Sequence, residues 1–169
     1  MDFDKEKVGK IKMVVMDVDG IMTDARIVLD SSLGWKRFFS VRDGVGIVKL
    51  REQGYKTGVI TGSNSEDVRK RMQHLKIDYF FENKLDKSPA FEELKNVSGF
   101  SDQEICYIGD DVFDIPLLKQ VGFSATVPEA VDEVIQECDY ITKRNGGYGA
   151  VRDLCQVILT YGFFSKGSQ

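Results

Sequence analysis

The sequence predicts an α/β fold: a doubly wound, mostly parallel sheet, Rossmann-like, with helices on both faces. Three observations carry this. Six short apolar, β-branched runs recur along the chain, stretches with helical spacing lie between them, and the runs are themselves almost continuously apolar. Strand–helix alternation on this scale implies βαβ units. Continuously apolar strands suit a parallel sheet buried on both sides, whereas half-exposed antiparallel strands alternate.

The first strand is IKMVVMD (residues 11–17). After Asp24 the rhythm breaks. ARIVLDSSLGWKRFFSV holds two extended runs around Asp30-Ser31-Ser32-Leu33-Gly34, which reads as a β-hairpin insertion over about 25–41. Its apolar residues Ile27, Leu29, Trp35, Phe38 and Phe39 need a partner surface, either the chain's own core or another molecule. Val45, Val48, Lys49 and Glu52, with Leu50 beside them, space as a helix that ends at Gly54. Strands then follow at 55–61, 78–82, 104–110, 122–127 and 139–142, and helices at 66–75, 89–96 and 112–119. Val151, Leu154, Ile158 and Leu159 form the apolar stripe of a closing helix. With no internal repeat or low-complexity segment, residues 1–169 read as one domain with a C-terminal tail over about 145–169.

A net charge of -4 argues against a nucleic-acid-binding surface. The charged N-terminus MDFDKEKVGKIK has no long apolar stretch, so neither a signal peptide nor a membrane span is expected, and the chain reads as cytoplasmic. Cys106, Cys138 and Cys155 have no metal-type spacing and read as reduced core thiols. His74 falls inside a helix and reads as an exposed residue.

In an open α/β sheet, ligands gather beyond the carboxyl ends of the strands. The first strand delivers Asp17 and Asp19 there, two residues apart and so on the same side, followed by Gly20. The second delivers Thr61 and Gly62. Asp86-Lys87 follows the third, just before the helix opened by Ser88-Pro89, and the fourth ends in Gly109, Asp110, Asp111 and then Asp114. Converging carboxylates cannot all be ionised without a cation. Oxygen ligands without His or Cys favour magnesium over zinc. Carboxylates, a hard cation, a lysine and a hydroxyl are together the equipment of phosphoryl transfer.

Asp17-Val18-Asp19-Gly20-Ile21-Met22-Thr23-Asp24 resembles the first motif of the haloacid dehalogenase superfamily of phosphatases. Thr61-Gly62 resembles the second motif, Lys87 the third, and Gly109-Asp110-Asp111 with Asp114 the fourth, all in order at strand ends. Further, FFSVRDGVGIVKL, VITG, DKSPAF, YIGDDVFDIPLL and GGYGAVRDLCQVIL are similar to the capless branch acting on 3-deoxy-D-manno-octulosonate 8-phosphate, a branch in lipopolysaccharide precursor synthesis. This resemblance implies an Mg2+-dependent phosphomonoesterase with Asp17 as nucleophile and Asp19 as general acid and base. Thr61 and Lys87 would hold the phosphoryl group. Asp17, the Asp19 carbonyl and Asp110 would bind the metal, with Asp111 and Asp114 behind them holding waters or Lys87. It also implies a homotetramer assembled through the hairpin, and a tail that covers a neighbouring active site. The expected partner is a small-molecule sugar-acid phosphate, with no nucleic acid and no membrane.

Ser63 departs from the branch, which carries arginine after Thr-Gly; a related branch acting on nine-carbon keto-sugar phosphates carries glutamate. Ser63-Asn64-Ser65-Glu66 fits a capping box for the next helix. Gly62, Ser63, Arg42 and Arg71 are the candidates for substrate contact, with surface roles the alternative for the two arginines. Two other readings stand beside this one. The first is a phosphatase of a nine-carbon keto-sugar acid 9-phosphate. The second is a non-catalytic assembly module like that of CMP-sialic acid synthetases, against which the intact acidic motifs argue.

Overall fold

The computed structural model describes residues 3–32 and 34–164. The chain runs α1 (Lys5–Val8), β1 (Met13–Met16), β2 (Val28–Asp30), β3 (Gly34–Lys36), α2 (Val41–Glu52), β4 (Lys56–Ile60), α3 (Glu66–Leu75) and β5 (Tyr79–Phe81). It continues α4 (Ser88–Ser98), β6 (Ile105–Ile108), α5 (Ile115–Leu118), β7 (Phe123–Thr126), α6 (Asp132–Ile135), β8 (Tyr140–Ile141) and α7 (Ala150–Tyr161). Six strands form one sheet in the order β5-β4-β1-β6-β7-β8, every pair parallel. All residues of β1, β6 and β7 are buried, so helices cover both faces, as the unbroken apolar runs require.

The strand order decides where the site lies. From β1 the chain winds outward to β4 and β5, then crosses back and winds the other way through β6, β7 and β8. The switch point falls between β1 and β6, which pair from Met13↔Ile105 to Met16↔Ile108. At such a point the loops beyond the carboxyl ends diverge and leave a crevice.

The helix expected over 112–119 divides into a 3-10 turn, Val112–Asp114, and the short α5. Pro116 lacks the N–H that a continuous helix would use, and Asp114 N–H instead closes the tight turn on the Asp111 carbonyl at 2.8 Å. The single-turn helices α1 and α6 are too short to show a hydrophobic period.

Between β1 and α2 the described residues contain only the small hairpin, with Leu29 opposite Trp35. Its apolar residues differ in exposure. Phe39 packs on the core, whereas Ile27, Val28, Leu29 and Trp35 are exposed and Phe38 is 74% exposed. The stretch from 145 also divides. Residues 146–149 form a turn against the β1 loop, and α7 is a core helix packed on α2. Residues 165–169, the end of the expected tail, lie outside the described residues, as does Leu33 of the hairpin turn. Among the described residues no helix is long and apolar enough to cross a membrane. The three cysteines are free, Cys106 and Cys155 fully buried and Cys138 partly so.

Candidate active site

β1 ends at Met16 and sends Asp17, only 6% exposed, into the crevice. β6 ends at Ile108 and delivers Asp110 from the other side. Gly20 lets them meet. Its φ is +98°, and a Cβ there would lie 2.0 Å from Asp110 Oδ2. Asp17, Asp110 and Asp114 each place a carboxylate oxygen within 4.8 Å of the others.

Lys87 sits at the N-cap of α4 and is buried. Its Nζ donates to Asp17 Oδ1 and Asp114 Oδ1, both at 2.5 Å, and to the Tyr107 hydroxyl at 3.2 Å. Burial works against the lysine charge, but the two carboxylates outweigh it and push its pKa up. Tyr107 donates in turn to Asp114 Oδ1 at 2.6 Å. The other Asp114 oxygen accepts from the backbone N–H groups of Asp110 and Asp111, at 2.9 and 3.1 Å. Asp114 is therefore saturated and serves to anchor Lys87 and the β6 loop.

Asp110 is different. Its Oδ1 is buried with no hydrogen-bond partner. Burial, followed by the charges of Asp17 and Asp114, pushes its pKa up to about 8. Burial likewise raises Asp17 to about 6 against the pull of Lys87, with Asp114 adding to the rise. One lysine cannot compensate three clustered carboxylates. An orphaned buried oxygen facing a second carboxylate is the donor set of a hard divalent cation.

The remaining expected residues fall into two groups. Thr61 is buried at the end of β4, and its Oγ1 accepts the Ser63 N–H at 3.1 Å, with the exposed Gly62 between them. Asp19 lies beside the cluster but is turned toward Arg37, whose Nε donates to Oδ1 at 2.5 Å and Nη2 to Oδ2 at 3.1 Å. Asp111 is exposed and, instead of holding Lys87, caps its own turn by accepting the Val112 N–H at 2.6 Å. Ser63 does not close a capping box. Ser65 is the N-cap of α3 without a side-chain cap bond, and the Ser63 hydroxyl instead meets Arg37 and Ser65. Arg71 does not point at the carboxylates of its own chain: it donates to the Ser40 carbonyl at 2.9 Å and lies over the Phe39 ring. Arg42 is exposed on α2, in a separate cavity of about 550 Å³ shared with Arg144 and Arg152.

Three site features escape sequence reasoning. Tyr107 is one polar atom inside an apolar strand, and Arg37 stands in a charged pair at a hairpin exit. The third is the seating of the Gly146-Gly147 turn on this chain's own Gly20 loop. Gly147 N–H donates to the Ile21 carbonyl at 3.0 Å, and a Cβ on Gly146 would lie 1.7 Å from the Gly20 carbonyl oxygen. The Gly-Gly pair was the available signal.

The chain is similar to known proteins in sequence and in fold. Residues 79–153 match the family model of the haloacid dehalogenase-like hydrolases. The chain is similar to the 3-deoxy-D-manno-octulosonate 8-phosphate phosphatase KdsC of Yersinia pestis, at 33% identity over 91% of this chain and 82% of that protein. A solved structure of 3-deoxy-D-manno-octulosonate 8-phosphate phosphatase from Moraxella catarrhalis, in complex with magnesium ion, phosphate ion and KDO, superposes with a TM-score of 0.91. It is 34% identical, over 97% of this chain and 95% of that one. The cobalt-bound phosphatase from Haemophilus influenzae superposes at 0.88, with 35% identity over 92% and 91% of the two chains.

Proposed function

This chain belongs to the 3-deoxy-D-manno-octulosonate 8-phosphate phosphatase family of haloacid dehalogenase-like hydrolases, and on that premise we propose that it hydrolyses 3-deoxy-D-manno-octulosonate 8-phosphate to the free sugar acid and phosphate. The observation that carries the reading is the pairing, at the sheet's switch point, of a lysine-held Asp17 with an Asp110 oxygen that has no partner.

In this reading Asp17, Asp110 and the Asp19 carbonyl hold Mg2+. When bound, the ion neutralises phosphoryl oxygens and lowers the repulsion between an anionic ester and an anionic nucleophile. The Asp17 carboxylate attacks phosphorus, forming an aspartyl-phosphate as the bond to the sugar oxygen breaks. Asp19 protonates the departing oxygen, then takes a proton from the water that attacks the aspartyl-phosphate. Lys87 and Thr61 bind phosphoryl oxygens. Lys87 also keeps Asp17 ionised against its burial, and Asp114 and Tyr107 keep Lys87 in place.

The functional unit is a homotetramer built on the hairpin, working in the cytoplasm on a precursor of lipopolysaccharide. In support of assembly, Phe38 is 74% and Val41 77% exposed, and Ile27, Val28, Leu29 and Trp35 of the same insertion are exposed as well, apolar surface of a kind that gathers at interfaces. Phosphate release from eight- and nine-carbon keto-sugar acid phosphates, with and without Mg2+, tests the function. A higher kcat/KM on the eight-carbon ester supports it. Preference for the nine-carbon ester overturns the substrate, and absence of any metal-dependent release overturns the activity.

A further inference from the structure

Arg37 is the residue the motifs leave unexplained. It follows directly on β3, on an insertion whose other side chains are largely solvent-exposed, yet its own side chain is only 7% exposed. It reaches back beyond the carboxyl ends of the strands and spends its donors on two segments, the loop after β1 and residues 63–67. Nε and Nη2 grip the two Asp19 oxygens at 2.5 and 3.1 Å. Nη2 also donates to Ser63 Oγ at 3.1 Å, and Nη1 to Ser65 Oγ at 2.8 Å and Asp67 Oδ1 at 3.4 Å.

This is a fixed fork. Two parallel N–H bonds define the plane and position of a carboxylate in a way that a point charge cannot. The fork is itself immobilised from behind. Ser63 and Ser65 share a 3.0 Å hydrogen bond, and the Ser63 N–H is tied to Thr61 Oγ1. A continuous chain of contacts thus joins Thr61 to Asp19 through Ser63 and Arg37. A serine at position 63 fits this arrangement, since a small hydroxyl accepts from the guanidinium and adds no competing charge.

We propose that Arg37 is the positioning residue of Asp19, delivered by the hairpin: its fork holds the carboxylate where the leaving oxygen of a sugar phosphate arrives. The proposal rests on the functional reading above, in which Asp19 exchanges a proton with that oxygen. It concerns the placement of Asp19 and nothing that Asp17 or the metal does.

Leaving-group dependence separates positioning from general damage. A sugar alkoxide needs its proton, whereas a nitrophenolate departs unaided. The Mg2+-loaded wild type, Arg37→Gln and Arg37→Lys are compared on 3-deoxy-D-manno-octulosonate 8-phosphate and on p-nitrophenyl phosphate. A misplaced general acid is expected to lower kcat of Arg37→Gln on the sugar ester by about 10²-fold. That loss should exceed the loss on the aryl ester at least about tenfold, with the larger share in kcat and not KM. Arg37→Lys keeps the charge without the fork and falls between wild type and Arg37→Gln. Equal losses on both esters, or no loss on the sugar ester, overturn the proposal. The substrate reading is judged on wild type alone, and fails if wild type cleaves the aryl ester but leaves the octulosonate ester intact. The Arg37 ratio is then read on glycerol phosphate, another alkyl ester, and decides the proposal in the same way.

Discussion

Lys87 Nζ stands 2.5 Å from Asp17 Oδ1 and, at the same distance, from Asp114 Oδ1, so one buried cation is shared by the proposed nucleophile and by a second buried carboxylate. The two anions depend on it unequally. Asp114 has Tyr107 and two backbone N–H groups besides, whereas Asp17 has Lys87 and the Val18 backbone N–H. Asp17→Asn should therefore abolish phosphate release while leaving assembly and the thermal transition close to wild type. Lys87→Met should lower kcat at least about 100-fold and, by stripping a buried ion cluster of its cation, destabilise the metal-free protein by about 3 kcal/mol. Phosphate release and thermal unfolding in EDTA check both.

The metal-free protein should lose stability as the pH rises. Asp110 goes from an ordinary 3.8 to about 8 on folding, and Asp17 from 3.8 to about 6, so between these limits the folded state holds more protons than the unfolded. Stability is fully present at acid pH and falls as pH passes through about 6 and then about 8. Mg2+ displaces those protons, so the Tm increase it produces should grow between pH 5.5 and 8.5. Thermal melts in EDTA and in excess Mg2+ across that range would show it, and a shift that shrinks with pH would contradict it.

Gly20→Ala tests the closeness of the two loops. The new methyl group would meet Asp110 Oδ2 at 2.0 Å on a backbone with φ of +98°, so Asp110 must swing out of the cluster. Mg2+ affinity should fall about tenfold or more, with kcat/KM following. Calorimetric titration of Mg2+ separates this from a loss of substrate binding.

Leu29→Glu and Trp35→Glu place charges at facing positions of the exposed hairpin. Either should convert the proposed tetramer to smaller species in light scattering, while the circular dichroism spectrum stays that of the wild type.

Much of the sheet and its acidic edge is legible in the sequence, because both rest on local contrast. An apolar run such as IKMVVMD ends abruptly in a carboxylate, and burying that charge demands a reason within a few residues. What stays hidden depends on distant partners. Arg37 looks like half of a solvated Lys-Arg pair until the hairpin folds back and Asp19 comes within reach. Arg71 reads as a candidate for the sugar carboxylate, yet α2 packs across it and claims its guanidinium for the Ser40 carbonyl. Asp111 stands next to Asp110, but the tight turn forced ahead of Pro116 directs its side chain to Val112.

The seating of Gly146 and Gly147 on the Gly20 loop sets a timetable for synthesis. Asp17 is synthesised well before Gly146 and Gly147, yet the loop beyond it is buttressed by those residues, which follow some 130 positions later. A nascent chain arrested before Gly146 can form β1, β4, β5 and β6 and still lack the wall that fixes Gly20 against Asp110. Hydrolytic competence should therefore arrive only once Gly146 and Gly147 have been added. Ribosome-bound chains of increasing length should acquire it in one late step.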